Sequence, residues 1–348
     1  RTRTSLRAQI GRAEFGGRDF GGIELDAELD SQRLSGRISD RDEALRLLLS
    51  VSGTLTEREQ RIGLSGSVFG FDLAALGVSP EPIGGSFALD ASASAAGKGA
   101  YAARIALDSI EIRNKHRTDR IRPTSVSLHT DSATTRAEAA SGDLSLTFST
   151  PQSADSLIAA LTRSARTLAG QIDAQSIDME QLKPALPDFA LRVSAGPDNI
   201  LNSLLKSRKI AFDALNAEGA NCDSLPVSIR LRTEGLAYGN VVLDTVTADI
   251  RQNGKRLEYA LGLANVPGNL DNIARAGLYG HLVRNTGQAN LYQRNRAGRE
   301  GFRFGLDVTW TDSLVRASVT PPDPLFGFEP WTVNRGNYLA YQIGRAHV

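Results

Sequence analysis

Cysteine, methionine and tryptophan are nearly missing from this chain. Its 348 residues hold one Cys, one Met and two Trp, and aromatics of all kinds reach only 6%. The lone thiol, Cys222, closes no internal disulfide and cannot by itself hold a zinc ion, so it reads as small apolar filler. So few large side chains cannot fill one thick core. Together with 33 glycines they suit many short, thin strands. An excess of charge is missing too: Lys and Arg number 40 against 39 acids. That balance removes the concentrated basic face that nucleic-acid binding needs. The basic run Arg113-Asn114-Lys115-His116-Arg117 reads as a solvated hairpin tip and not as a phosphate site. No apolar run approaches the ~20 residues that cross a bilayer as a helix.

Signatures of chemistry are also scarce. His116, His129, His281 and His347 have no partner His, Cys or acid at metal spacing. No nucleophile elbow, P-loop or dinucleotide fingerprint occurs. Gly16-Gly17, Gly21-Gly22 and Gly84-Gly85 read as turns or bulges at strand edges. Asp26, Glu28 and Asp30 alternate with apolar residues, so they point to water and do not converge as an acid–base pair must. The expectation is a protein with no catalytic residue, no metal and no cofactor. An enzyme of the β-helix carbohydrate-active kind would need acids or basic residues gathered in one cleft, and the spacing gathers none.

What the chain has in quantity is a period of two. Ile23, Leu25 and Leu29 alternate with acids; Leu45, Leu47, Leu49 and Val51 alternate mostly with polar residues. Tyr101, Ala103, Ile105 and Leu107 keep one face, and the apolar set then slips by one to Ile110 and Ile112, which predicts a bulge near Asp108-Ser109. The run Phe302, Phe304, Leu306, Val308, Trp310 is the cleanest. Asn253-Gly254 predicts a type I′ hairpin between strands near 241–251 and 255–264. Thr311-Asp312-Ser313 should turn the next one. Well over a dozen strands follow, joined as antiparallel neighbours in a long meander.

Two helices should interrupt it. Residues 153–172 place Leu157, Leu161, Ala165, Leu168 and Ile172 on one stripe, with Ser153 as N-cap. Residues 198–209 start at Asp198 and end in basic side chains. Each stripe is expected to lie on the sheet, across the mouth of a trough. The resulting division is a β-groove segment at 1–150, a helix-containing insertion with a strand at 151–212, and a second β-groove segment at 213–342.

A sheet with one apolar face must cover that face. A sandwich or barrel normally does so within about 200–250 residues, whereas this meander runs on with little else to cover it. The fold class expected is therefore mostly β, an antiparallel meander curled into an open groove with two short helices inserted. The lining on this reading is Ile23, Leu25, Leu29, Leu47, Leu49, Ile62, Leu64, Ile105, Leu107, Leu146, Phe148, Leu191, Val193, Ile229, Leu231, Leu261, Leu263, Phe304, Leu306 and Val308. Phospholipid acyl chains suit such a lining. At about 0.8 kcal/mol per CH₂, a 16-carbon tail kept out of water there avoids roughly 12 kcal/mol. The alternative is a passive β-rich scaffold or adhesin segment with no guest.

The stretch Phe71–Val78 (FDLAALGV), the segment Ser194–Phe212, the NVPGNL motif at Asn265–Leu270 and DPLFGFEPWTVNRGNYLAY at Asp323–Tyr341 resemble bacterial translocation and assembly module proteins of the TamB family, in the AsmA-like group. The resemblance covers most of the chain as a middle segment. It implies a periplasmic repeating β-groove anchored in the inner membrane, phospholipid transport to the outer membrane, and outer-membrane protein assembly with a barrel partner. The membrane anchor and the contacts with that partner would lie in parts of the protein outside this sequence. It implies no catalytic residue, and it makes Pro330-Trp331-Thr332-Val333-Asn334 with Asn337-Tyr338 a turn between two groove strands.

The chain opens without an initiator Met, its one Met being Met179, and closes on the strand-like YQIGRAHV. Both features suggest an internal piece of a longer protein. Residues 343–348 (IGRAHV) resemble one reading frame of a common sequencing adapter, so the biological sequence is expected to run through Gln342. A longer read of the locus should leave this frame after Gln342; a read in which IGRAHV continues as coding sequence overturns the expectation.

Overall fold

The computed structural model describes all residues except 1–2, 11–12, 16–17, 21, 98, 116, 266–272, 321–322, 335 and 343–348. Gly16-Gly17, Gly21, His116, His347, most of the NVPGNL motif and the 343–348 tail therefore lie outside the described residues. The chain is mostly β. Among the described residues 24 strands join one antiparallel sheet that does not close into a barrel, a hairpin of β2 (Ala13–Phe15) and β3 (Arg18–Phe20) stands apart, and three helices interrupt. Two compact units are present: Arg1–Ala154 with Asp198–Leu204, and Asp155–Pro197 with Leu205–Val348.

In the first unit, β1 (Arg3–Ile10) pairs with β4 (Ile23–Asp30), which is followed in chain order by β5 (Arg33–Arg41), β6 (Leu45–Leu55), β7 (Glu59–Asp72), β8 (Gly84–Ala96) and β9 (Ala100–Arg113). The far edge of β9 is shared by β10 (Thr118–Ile121) and β11 (Thr124–Thr130), and β12 (Thr135–Ser141) and β13 (Leu144–Thr150) complete the ladder. The bulge falls where the sequence places it. The β8–β9 register shifts between Ser86 and Ala88, and Ser109 is left-handed at φ 51°. Asn114 and Arg117 exchange hydrogen bonds across the β9–β10 tip.

The second unit begins with β14 (Phe189–Ala195) and runs through β16 (Ala214–Cys222), β17 (Leu225–Tyr238), β18 (Val241–Asn253), β19 (Arg256–Asn265), β20 (Arg275–Val283), β21 (Thr286–Arg294), β22 (Glu300–Trp310) and β23 (Leu314–Val319) to β26 (Leu339–Gln342). Short strands β15 (Ile210–Ala211) and β24 (Leu325–Phe326) add to β17 and β22, and β25 (Glu329–Pro330) pairs with β24. The β18–β19 turn differs by one residue from the sequence reading. Asn253 pairs with Arg256, so the turn residues are Gly254 and Lys255. Only Gly254 is left-handed, at φ 58°, which is the II′ pattern; a I′ turn needs both residues there.

The helices bring the main corrections. Helix α1 (Ala154–Asp173) matches the expected span, but its apolar stripe does not lie on the sheet. Leu161 is 51% exposed, Leu168 41% and Ile172 61%, while Ala160, Ser164 and Gln171 are buried. The reason is hydrogen bonding. The Ser164 hydroxyl donates to the Ala185 carbonyl at 2.6 Å, and the Gln171 amide exchanges bonds with the Asp178 backbone at 2.9 and 3.1 Å. These side chains satisfy the ends of α2 (Met179–Ala185), a helix the sequence reading lacks. Its signal in the sequence is the box Asp178-x-x-Gln181, and Pro184 lies inside its last turn. Asp178 caps it, accepting from the Glu180 N–H at 2.9 Å. Helix α3 (Ile200–Ser207) starts two residues after Asp198, and the Asn199 side chain accepts from the Asn202 N–H at 2.9 Å. Asp198 instead pairs with Arg122 at 2.7 Å.

One glycine shows how tightly neighbouring strands approach. Gly280 stands opposite Tyr259, whose hydroxyl reaches over it to donate to the Gln288 carbonyl at 2.8 Å. Burial raises the Tyr259 pKa above its ordinary value. A Cβ at position 280 would lie 1.8 Å from that same carbonyl oxygen, so Gly280→Ala must displace β21 or the tyrosine. A loss of about 1–3 kcal/mol is expected. Urea unfolding checks it: an unchanged midpoint would show that the approach is not needed.

Candidate functional site: uncovered apolar sheet faces

In an antiparallel pair, directly opposed residues project their side chains to the same face. Following opposed residues across the first unit gives one unbroken row over ten strands: Leu6, Ala27, Gly36, Val51, Leu64, Ala91, Ile105, Val126, Ala139, Leu146. No member is polar. The next row runs Leu29, Leu34, Gly53, Ile62, Ala93, Ala103, Leu128, Ala137, Phe148. The opposite face carries residues such as Asp26, Arg37, Ser50, Ser65 and Asp90 in one row.

The second unit repeats the arrangement with different residues. One row is Leu191, Gly219, Ile229, Ile250, Tyr259, Gly280, Ala289, Leu306, Val319; its neighbour is Val193, Ala217, Leu231, Ala248, Leu261, Leu278, Leu291, Phe304. On the other face, Arg192 pairs with Glu218, Arg230 with Asp249 and Arg251 with Glu258, at 3.4, 3.4 and 2.9 Å. The pleat thus sorts charge to one side and hydrocarbon to the other.

Register places the sequence-derived residues within each unit. Leu25, Leu29, Leu47, Leu49, Ile62, Leu64, Ile105, Leu107, Leu146 and Phe148 share the apolar face of the first unit, with Ile23 at the start of β4 in the same parity. Leu191, Val193, Ile229, Leu231, Leu261, Leu263, Phe304, Leu306 and Val308 share that of the second. Sequence reading named no alternation in β5, β8, β11 and β21 and took β20 only as a strand-like run around His281; these strands supply Leu34, Ile38, Leu89, Val126, Leu128, Leu278 and Leu291 to these faces. Their alternation was present but thinned by Gly36, Ala and Gly277.

These faces are not covered as a core is covered. Of the twenty residues only Leu49 is buried, at 7% exposure. Ile62, Ile105, Ile229 and Leu261 stay 43–47% exposed, and the rest are half-buried. The whole chain exposes 22362 Å². A compact monomer of this mass exposes about 14,000 Å², and two separate compact halves about 16,500 Å². The excess measures a missing second layer.

Polar residues break other rows of these faces. In the first unit the row of Leu107 continues into Thr124 and Ser141, and that of Tyr101 into Thr130, Thr135 and Thr150, with Thr124–Ser141 and Thr130–Thr135 hydrogen-bonded at 2.8 and 2.9 Å. Asp40, opposite Leu47, is 3% exposed and accepts from the Asp42 N–H at 2.9 Å. Thr233 and Gln293 break a row of the second unit. At one end of that unit the segment before α2 meets the hairpin turns: Trp310 and Asn285 donate to the Gln175 carbonyl, and Arg284 pairs with Asp178 and Glu180, each at 3.4 Å. Trp331 packs edge-on against Phe326 with centroids 6.1 Å apart and is 59% exposed.

Cys222 lies 3.4 Å from the Ser224 hydroxyl, which lowers the thiol pKa. Among the described residues no group of three or more His, Cys, Asp or Glu is placed to hold a metal ion, and no helix is long and apolar enough to cross a membrane. Comparison with protein-family models, curated proteins and solved structures gives no match for this chain.

An uncovered apolar face should report itself in solution. Nile red is expected to brighten and shift to the blue on the native protein. Ile105→Asp with Leu261→Asp, both at already exposed positions, should weaken that signal at unchanged circular dichroism. A native protein that leaves the dye dark would mean the faces are covered.

Proposed function

We propose that the chain is a periplasmic segment of a TamB-like, inner-membrane-anchored protein, and that its apolar sheet faces carry phospholipid acyl chains toward the outer membrane in support of outer-membrane protein assembly. The observation that supports this reading is the ten-strand apolar row of the first unit, repeated over nine strands in the second, with Ile105 and Leu261 left 47% and 44% exposed. The first row has no polar member and the second only Tyr259, whose hydroxyl is held by the Gln288 carbonyl, so a hydrocarbon tail can move from strand to strand without crossing a charged step. The polar head would remain at the rim, in water. The protein needs no catalytic residue for this, since carriage requires only that each position on the face hold the tail about equally well. The sheet would curl about its guest, and the anchor and barrel partner would belong to other parts of the longer protein.

The test is photocrosslinking in cells that express the full-length protein with a photoreactive residue at position 64 or 306. Phospholipid adducts are expected at both. Leu261→Asp sets one charge in the acyl path that loses its water when a tail covers it, a penalty of several kcal/mol, and should cut the adduct at position 306 at least tenfold. Absence of lipid adducts at both positions, with native mass spectra free of lipid, would instead make the chain a rigid spacer.

A further inference from the structure

The polar face of the first unit holds a concavity of about 530 Å³ whose walls come from β7, β8, β9, β11 and β12. Four cationic or titratable donors border it: Arg61, Arg104, His129 and Arg136. Register sets them in order. His129 and Arg136 are opposed residues, and Arg104 lies in the adjoining row that continues through Ser127 to Glu138. With strands about 4.8 Å apart and a step of two residues, about 7 Å, along them, the Arg104 and Arg136 backbones stand about 12 Å apart, on either side of β11.

Several arginines elsewhere on the polar faces are neutralised across strands. Arg7, Arg192, Arg230 and Arg251 each meet a carboxylate on the adjacent strand. Arg61 is also occupied, by Glu59 at 2.8 Å. Arg104 and Arg136 have no ion pair or side-chain hydrogen bond among the described residues. Glu138 is the one carboxylate in the lining, so two unpaired guanidinium groups face one acid. Asp131, beside His129, is already engaged by the N–H groups of Ala133 and Thr134, both at 2.7 Å. The floor is small and hydroxylated, formed by Ser92, Ser94 and Ser127, which leaves room above it and adds donors below.

We propose that this hollow binds an oxyanion of the phosphate class, a diphosphate or phosphodiester. Arg104 and Arg136 grip it from the two sides of β11 and the serine hydroxyls donate from beneath. A carboxylate presents its oxygens in one plane, whereas phosphate oxygens point in several directions and can meet donors on opposite walls and on the floor. The site lies on the face opposite the apolar rows and does not depend on the acyl-chain reading.

The experiment is calorimetric titration of the whole chain with sodium pyrophosphate at low ionic strength, where exposed charges are least screened. Binding in the wild type is expected, with the dissociation constant raised at least tenfold in Arg104→Gln/Arg136→Gln. The paired control Arg230→Gln should leave it unchanged. A second arm uses phosphatidylcholine vesicles with and without phosphatidylglycerol. Co-sedimentation that requires phosphatidylglycerol and both arginines supports the site with a lipid headgroup as the source. Pyrophosphate binding without co-sedimentation supports it with a soluble source. No heat of binding in the wild type, or equal affinity in the double variant at unchanged circular dichroism, overturns the proposal.

Discussion

Both sheet faces of each unit depend on keeping side-chain parity in phase from strand to strand. A single strand with alternating hydrophobicity is only half an amphipathic object. It becomes a surface when its neighbours are registered so that opposed residues agree. Here the agreement extends over ten strands in one unit and nine in the other, through opposed pairs such as Val51–Leu64 and Leu261–Leu278. Cohesion then comes from lateral contact between neighbours and from the backbone ladder, since the usual second layer is missing. The polar faces repeat the logic with charge, pairing arginine and acid across strands.

The helical insertion obeys a different rule. An amphipathic helix normally buries its apolar stripe, yet α1 buries Ala160, Ser164 and Gln171 and leaves Ile158 62% exposed. The exchange is understandable from the backbone groups at the ends of α2 and the turn before it, which need partners that hydrocarbon cannot supply. Specific hydrogen bonds therefore decide the orientation of α1, against its hydrophobic pattern.

That contrast separates what could be read in the sequence from what could not. The β period is a local property, so the strands holding Leu64, Ile105, Leu231 and Leu306, the turn at Thr311–Ser313 and even the slip at Ser109 were legible. Strands rich in Gly and Ala, such as β5, β12 and β20, were harder, because small residues blur the alternation without breaking it. The face of α1 was not legible, for Ser164 and Gln171 look like solvent residues until α2 stands beside them. The same holds for Arg104 and Arg136. Being far apart along the chain, they meet only when β9, β11 and β12 align, and sequence shows a charged strand residue without showing whether an acid stands opposite.

The left-handed Ser109 carries a wider consequence. Between Leu107 and Ile110 the chain changes from odd to even numbering while its oily side chains stay on one side, because the extra residue is absorbed in the bulge. A sheet built this way tolerates insertions and deletions in a quantised manner. Gain or loss of a whole hairpin lengthens or shortens it and leaves parity intact, whereas a single added residue inverts everything beyond it unless a second kink arises to cancel the first. Evolution of such a chain would therefore be expected to proceed by paired strands, with lone bulges marking places where an odd step was once repaired.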